Sequence, residues 1–235
     1  MRKIFLLISM SAIFTISFAQ KENKNKKVEG SGNVITRNIP IQSFDQLDIS
    51  GVFNVQLIQG AKEEVKIEAD DNLQELFEVK NEGSKLKVSM EKDVSINTKS
   101  KIKLYVTFKK LNSLDLKTVG SVKSEGSLSF DKLNIENKSV GDVNLNLSAQ
   151  AVHINNKSVG DVKLEGKADD VVIKNKSVGS IQAASFVVQT MDIDNDGVGS
   201  AEVNAAKELK VRDSFLGKVT NKGAASPKRI KRVTI

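Results

Sequence analysis

Two aspartates, Asp142 and Asp161, occupy equivalent positions 19 residues apart, and a second acidic run reads Asp192-Ile193-Asp194-Asn195-Asp196-Gly197. If equivalent positions stack as neighbouring strands, the two carboxylates lie about 5 Å apart, a separation that suits a retaining glycosidase pair or a cation site. The competing reading is two solvated turn aspartates screened by Lys138 and Lys157, and it is the one carried forward. The Asp192 run matches the opening of a calcium loop, D-x-D-x-D-G, whose twelfth position must supply a carboxylate. Position twelve here is Val203, and Glu202 falls one residue early. The run is therefore read as a strand, and no metal or cofactor is expected.

His153 is the single histidine, so any imidazole-based triad depends on it. Alternation in Val152-His153-Ile154 turns it outward, and the equivalent residues Asn134 and Val172 offer neither a nucleophile nor an orienting carboxylate. The chain has no cysteine, which removes thiolate chemistry, disulfides and cysteine-type zinc sites. A polysaccharide-lyase cleft needs aromatic platforms and long loops. With no tryptophan, one tyrosine (Tyr105) and short inter-strand segments, the chain is not expected to be an enzyme.

The elements that hold these residues are set by a repeat. Asn-Lys-Ser-Val-Gly occurs at Asn137–Gly141, Asn156–Gly160 and Asn175–Gly179. Its closing glycine extends to Gly120, Gly141, Gly160, Gly179, Gly199 and Gly217, at steps of 21, 19, 19, 20 and 18 residues. A unit this short cannot bury its own apolar face and must stack on its neighbours. Alternating valine and isoleucine on both sides of each glycine indicates strands. The expected fold is all-β, a β-solenoid with rungs of about 19 residues.

Three inward columns are expected. They are Leu114, Ile135, Ile154, Ile173, Ile193 and Val211; then Val119, Val140, Val159, Val178, Val198 and Leu216; then Val122, Val143, Val162, Ile181, Ala201 and Val219. With Val159 inside, Val159→Asp would bury an unpaired charge. Asn137, Asn156, Asn175 and Asn195 form a fourth column able to stack amide on amide, which leaves no room for a glycan on the three Asn-Lys-Ser sequons. The corner glycines are expected to permit a special conformation or a tight approach. Lys117, Lys138, Lys157 and Lys176 form an outward column.

Upstream, Leu47–Gly51 and Val52–Ile58 read as another strand–corner–strand unit, and Val65–Ala69, Leu86–Met90 and Ile102–Phe108 as further strands. Asn81-Glu82-Gly83-Ser84 reads as a hairpin turn. Residues 71–79 are the candidate helical segment, with Leu73, Leu76 and Phe77 on one face to cap the open end. Pro227 is expected to stop the last rung. Arg2, Lys3, the apolar run Ile4–Phe18 and Ser17-Phe18-Ala19 make residues 1–19 an export signal, the run falling short of the roughly 20 residues that span a bilayer. A basic flexible linker at 20–29, one domain at 30–227 and a basic tail at 228–235 complete the layout. Of the formal +7, two charges fall on Arg2 and Lys3, three net on 21–27 and four on 228–232, leaving −2 on 28–227. Charge confined to the ends argues against nucleic acid.

Gly30-Ser31-Gly32-Asn33-Val34, then Phe44-Asp45-Gln46-Leu47-Asp48-Ile49-Ser50-Gly51, Val55-Gln56-Leu57, Gly60 and Asn72-Leu73, together with the glycine corners and Pro227-Lys228, give a recognisable order. In this the chain resembles the auto-transporter adhesin head (GIN) domain family of Bacteroidota-type bacteria, over nearly all its length after the signal. The family usually shows Gly-Ser-Gly-Asp-like corners; here Lys or Asp replaces the first glycine and the middle residue is often Val. The resemblance implies an exported right-handed β-helix in the periplasm or at the cell surface, and no catalytic residues. The expected function is a non-catalytic adhesin-like or scaffold domain, its lysine column meeting an anionic envelope polymer or a protein partner. The alternative is a periplasmic structural or sensory module acting through protein contacts, with a lyase or hydrolase in third place.

Overall fold

Valine, isoleucine and leucine at alternate positions give each segment one face that water disfavours, and the molecule buries those faces almost wholly with strands. The computed structural model describes residues 26–231. The expected export signal at 1–19, residues 20–25 of the expected linker and residues 232–235 of the expected tail lie outside them.

Five long strands carry the repeats: Val122–Asn137, Val143–Asn156, Val162–Asn175, Ile181–Asn195 and Ala201–Asp213. Each runs parallel to the next in chain order. The connections, such as 138–142 and 157–161, are five residues long, well short of the dozen or more that parallel neighbours usually require. They suffice because each residue pairs with its own equivalent one repeat later: Val143 with Val162, Ile154 with Ile173, Asn156 with Asn175. One period of chain therefore returns the backbone beside itself, displaced by about 4.8 Å. Unequal repeat lengths are absorbed by register shifts. The 21-residue step is taken up between Lys123 and Ser127, where Gly126 has φ 69°, and the 20-residue step between Lys163 and Glu165.

Leu114, Ile135, Ile154, Ile173, Ile193 and Val211 are successive register partners and at most 5% exposed. Val122, Val143, Val162, Ile181, Ala201 and Val219 form a matching column after the corner. Each buried aliphatic side chain contributes about 1.5–3 kcal/mol.

The column Val119, Val140, Val159, Val178, Val198 and Leu216, expected inward, points outward, its members 50–64% exposed. Parity explains the correction. Burial alternates through Asn137-Lys138-Ser139-Val140, with Asn137 and Ser139 inside and both Lys138 and Val140 outside. Serine, not valine, fills the corner interior.

At the N-terminal end, Gln46–Gly51 pairs with Ser113–Thr118, and Asn54–Gln59 with Val122–Glu125, as one more parallel layer. Beyond it the pattern changes. Lys85–Met90 lies parallel to Gln46–Gly51 and antiparallel to Phe77–Glu82, across a turn in which Gly83 has φ 61°. Lys103–Phe108 lies parallel to Asn54–Gln59, and Glu64–Asp70 and Val34–Ile39 follow it in antiparallel order. The expected helical segment at 71–79 is a 3-10 helix over Asp71–Leu76, and Phe77 already begins the next strand with its ring 5.4 Å from that of Phe53. Leu73 and Leu76 are buried there, and Gln74 Nε2 donates to the carbonyls of Ile35, Ile67 and Ala69.

Strands also occur at both ends of the described residues. Lys26–Glu29 pairs in parallel with Val94–Asn97. Pro227 does not stop the last layer but opens the strand Pro227–Arg229 beside Leu209–Val211, at a first-residue position that tolerates a missing N–H.

Candidate functional site

The repeat corner has an interior and an exterior, and the two do different things. Inside, Asn137 Nδ2 donates to Asn156 Oδ1 at 2.8 Å, Asn156 to Asn175 at 2.7 Å and Asn175 to Asn195 at 2.6 Å. Asn195 ends the series by donating to the carbonyls of Gly217 and Gly199. Thr118, Ser139, Ser158 and Ser177 lie buried beside it; Ser158 and Ser177 donate to the carbonyls of Gly160 and Gly179. Glycine is required by close approach. A Cβ on Gly141 would stand 2.2 Å from Gly120 O, and one on Gly160 2.5 Å from Gly141 O. Gly179, Gly199 and Gly217 repeat that approach to the corner before them. These residues hold successive layers together and are closed to ligands.

Outside, alternation leaves a run of four lysines, bounded by Ser50 and Asp196, and a longer aliphatic column. Backbone bonds from Lys138 N to Leu116 O, Lys157 N to Asn137 O and Lys176 N to Asn156 O stack Lys117, Lys138, Lys157 and Lys176 directly over one another. Lys117 lies 3.4 Å from Asp48, and Lys176 3.6 Å from Asp196. Lys138 and Lys157 make no ion pair among the described residues. Like charges on adjacent strands repel, so this row works against stability. Two residues on, the exposed valine column runs parallel to it. The other outward columns are mixed, as in Asn134, His153, Val172, Asp192 and Lys210.

The candidate chemical residues are otherwise engaged. Asp142 Oδ1 accepts from Asp161 N at 3.0 Å, and Asp161 Oδ1 accepts from Ser180 N at 2.8 Å, so the pair ties layers through backbone donors. His153 is exposed, with Asn134 and Val172 as its register partners. Asp192 is held by both terminal nitrogens of Arg212, at 2.5 and 3.2 Å. No cluster of three or more His, Cys, Asp or Glu able to hold a metal occurs among the described residues.

Two features escape a reading by columns. Phe215, next to Leu216 on the last corner, is 91% exposed. An open groove of about 1270 Å³ also runs across the layers, lined among others by Lys110, Phe130, Lys132, Leu147, Lys167 and Asp169. It combines both signs of charge, and the residues that form it come from four successive long strands and from the segments before them.

Among the described residues, no helix is long and apolar enough to cross a membrane. Residues 43–225 match the family described as Putative auto-transporter adhesin, head GIN domain. No curated protein matches the chain. Among solved structures, a putative adhesin from Bacteroides fragilis is 29% identical, with a TM-score of 0.76, covering 86% of this chain and 100% of its own. A putative lipid binding protein from Parabacteroides distasonis is 19% identical (TM-score 0.64; 88% and 95% covered), and a putative adhesin from Parabacteroides merdae is 19% identical (TM-score 0.59; 88% and 95%). At these lower identities the likeness is one of fold.

Proposed function

The chain belongs to the auto-transporter adhesin head GIN domain family, and from that premise we propose that it is an exported, non-catalytic adhesin-like domain whose corner face holds an anionic partner of the cell envelope. In this reading residues 1–19 direct export, 20–29 join the body, 30–227 form one right-handed β-solenoid, and 228–235 add a basic tail. The product works in the periplasm or at the cell surface. The stacked lysines carry the proposal. Lys138 and Lys157 stand on adjacent layers, whose backbones are one strand spacing of about 4.8 Å apart, and neither makes an ion pair among the described residues. Such a row is unfavourable in the isolated protein and becomes favourable only against an anion. The rigid asparagine and glycine interior sets its period, so a repeating polyanion meets a row of fixed spacing.

Retention of the exported chain on an immobilised acidic polysaccharide, against a neutral one, tests this. Retention that falls with rising salt and is lost in K138S/K157S supports the reading; equal retention of parent and variant contradicts it.

A further inference from the structure

The lysine row is only half of the corner face, and its neighbour points to what the anion is attached to; this step rests on the reading that the face is the binding surface. Val119 N donates to Gly51 O, which places Val119 over Val52 and lengthens the outward aliphatic column to Val52, Val119, Val140, Val159, Val178 and Val198, with Leu216 exposed on the corner that follows. Its members and Leu216 are 50–64% exposed. Six layers at about 4.8 Å make a stripe about 24 Å long.

Strand preference does not account for this column. Threonine has the same branching and a similar preference for strands, and would present a hydroxyl to water. The sequence nonetheless places valine at every position of the column. A contiguous apolar stripe rimmed by charge marks a contact surface. A soluble polyanion would need only the lysines. Aliphatics beside cations, ending in the 91% exposed Phe215 and in Leu216, match a bilayer interface, where phosphates meet the first acyl carbons. A second copy docking by the same face offers the lysines little, because carboxylates on and beside it are already engaged, Asp48 and Asp196 with Lys117 and Lys176, and Asp142 and Asp161 with backbone N–H groups.

We propose that the corner face docks on an anionic lipid surface, with Lys138 and Lys157 at the headgroups, the valine column against the interface and Phe215 and Leu216 inserted at one end.

The experiment is sedimentation of the exported chain with vesicles of phosphatidylcholine alone and of phosphatidylcholine with phosphatidylglycerol. Pelleting is expected only with the anionic vesicles. A lysine near such a surface is worth roughly fivefold in partitioning, so K138S/K157S lowers it by about 25-fold at low salt. V140T/V159T/V178T, which keeps branching and strand preference, and F215S/L216S each lower it several-fold while leaving retention on the acidic polysaccharide unchanged. Three results overturn the proposal: no pelleting with either vesicle, a threonine variant that pellets like the parent, or light scattering in which the threonine changes convert a dimer to a monomer. Polysaccharide retention that survives without vesicle binding removes the lipid proposal alone; loss of both removes the broader reading as well.

Discussion

Asn156 Nδ2 donates to Asn175 Oδ1 at 2.7 Å, with the two side chains 1% and 0% exposed. The bond crosses from one repeat to the next and is met on either side by its equivalents, so each amide both gives and receives. Asn156→Ala removes the acceptor for Asn137 Nδ2, leaving that buried donor unpaired, and takes one of the two donors from Asn175 Oδ1, which keeps Ser177 Oγ. A loss of about 1–3 kcal/mol is expected in denaturant unfolding. Lys157→Ser, one residue away and outward, should change stability by no more than about 0.5 kcal/mol.

Val159→Asp separates the two parities of the corner. Val159 is 53% exposed, so the variant should unfold within about 0.5 kcal/mol of the parent. Val162→Asp puts the same charge at a site 4% exposed and should cost more than about 3 kcal/mol or prevent folding. Comparable losses at the two positions would contradict the assignment.

That contrast shows what the sequence carries and what it withholds. The spacing of Ile135, Ile154 and Ile173 names register partners because a period of 19 leaves few ways for like residues to stack. The asparagine spacing is equally visible. Placing Val140 inside required a break in alternation between Asn137 and Val140, and nothing in those four residues supplies one. Counting parity from the asparagine would have turned the valine outward. The antiparallel additions at the N-terminal end have no repeat to announce them, and Pro227 opens a strand because its partner Leu209 asks it for no N–H. The groove beside Phe130 is lined from four successive strands and the segments before them, so no single repeat announces it.

Gly160→Ala tests the glycine column as a steric device. No positive φ is involved at Gly160; the added Cβ would meet Gly141 O at 2.5 Å and must push two layers apart. A loss of about 1–3 kcal/mol is expected from overpacking. Gly83→Ala, at φ 61° with open space around the Cβ, should cost about 1–2 kcal/mol for conformation alone. A double variant should be additive, since no contact joins the two sites.

Acid should weaken the N-terminal end. The Lys103 ammonium, 2.6 Å from Glu68, holds that carboxyl below its ordinary value against the opposing effect of burial, and Tyr105 Oη adds a donor at 3.0 Å. A depressed folded pKa means that the unfolded chain binds the proton more readily. The stabilisation is complete above the ordinary glutamate value and is lost as pH falls through the lower folded one. Melting temperature should therefore fall with pH below about 4.3, and less steeply in Glu68→Gln. A parallel pH dependence in parent and variant would show that Glu68 is not among the groups responsible.

The account turns on which side chains face out at the corner, and the absence of native cysteine makes that measurable. Single cysteines at Lys157, Ser158 and Val159 can be timed against a maleimide in the folded protein. Rapid labelling at 157 and 159 with strong protection at 158 is the predicted result. Protection at 159 matching that at 158 would contradict the outward lysine and valine face on which the proposed function stands.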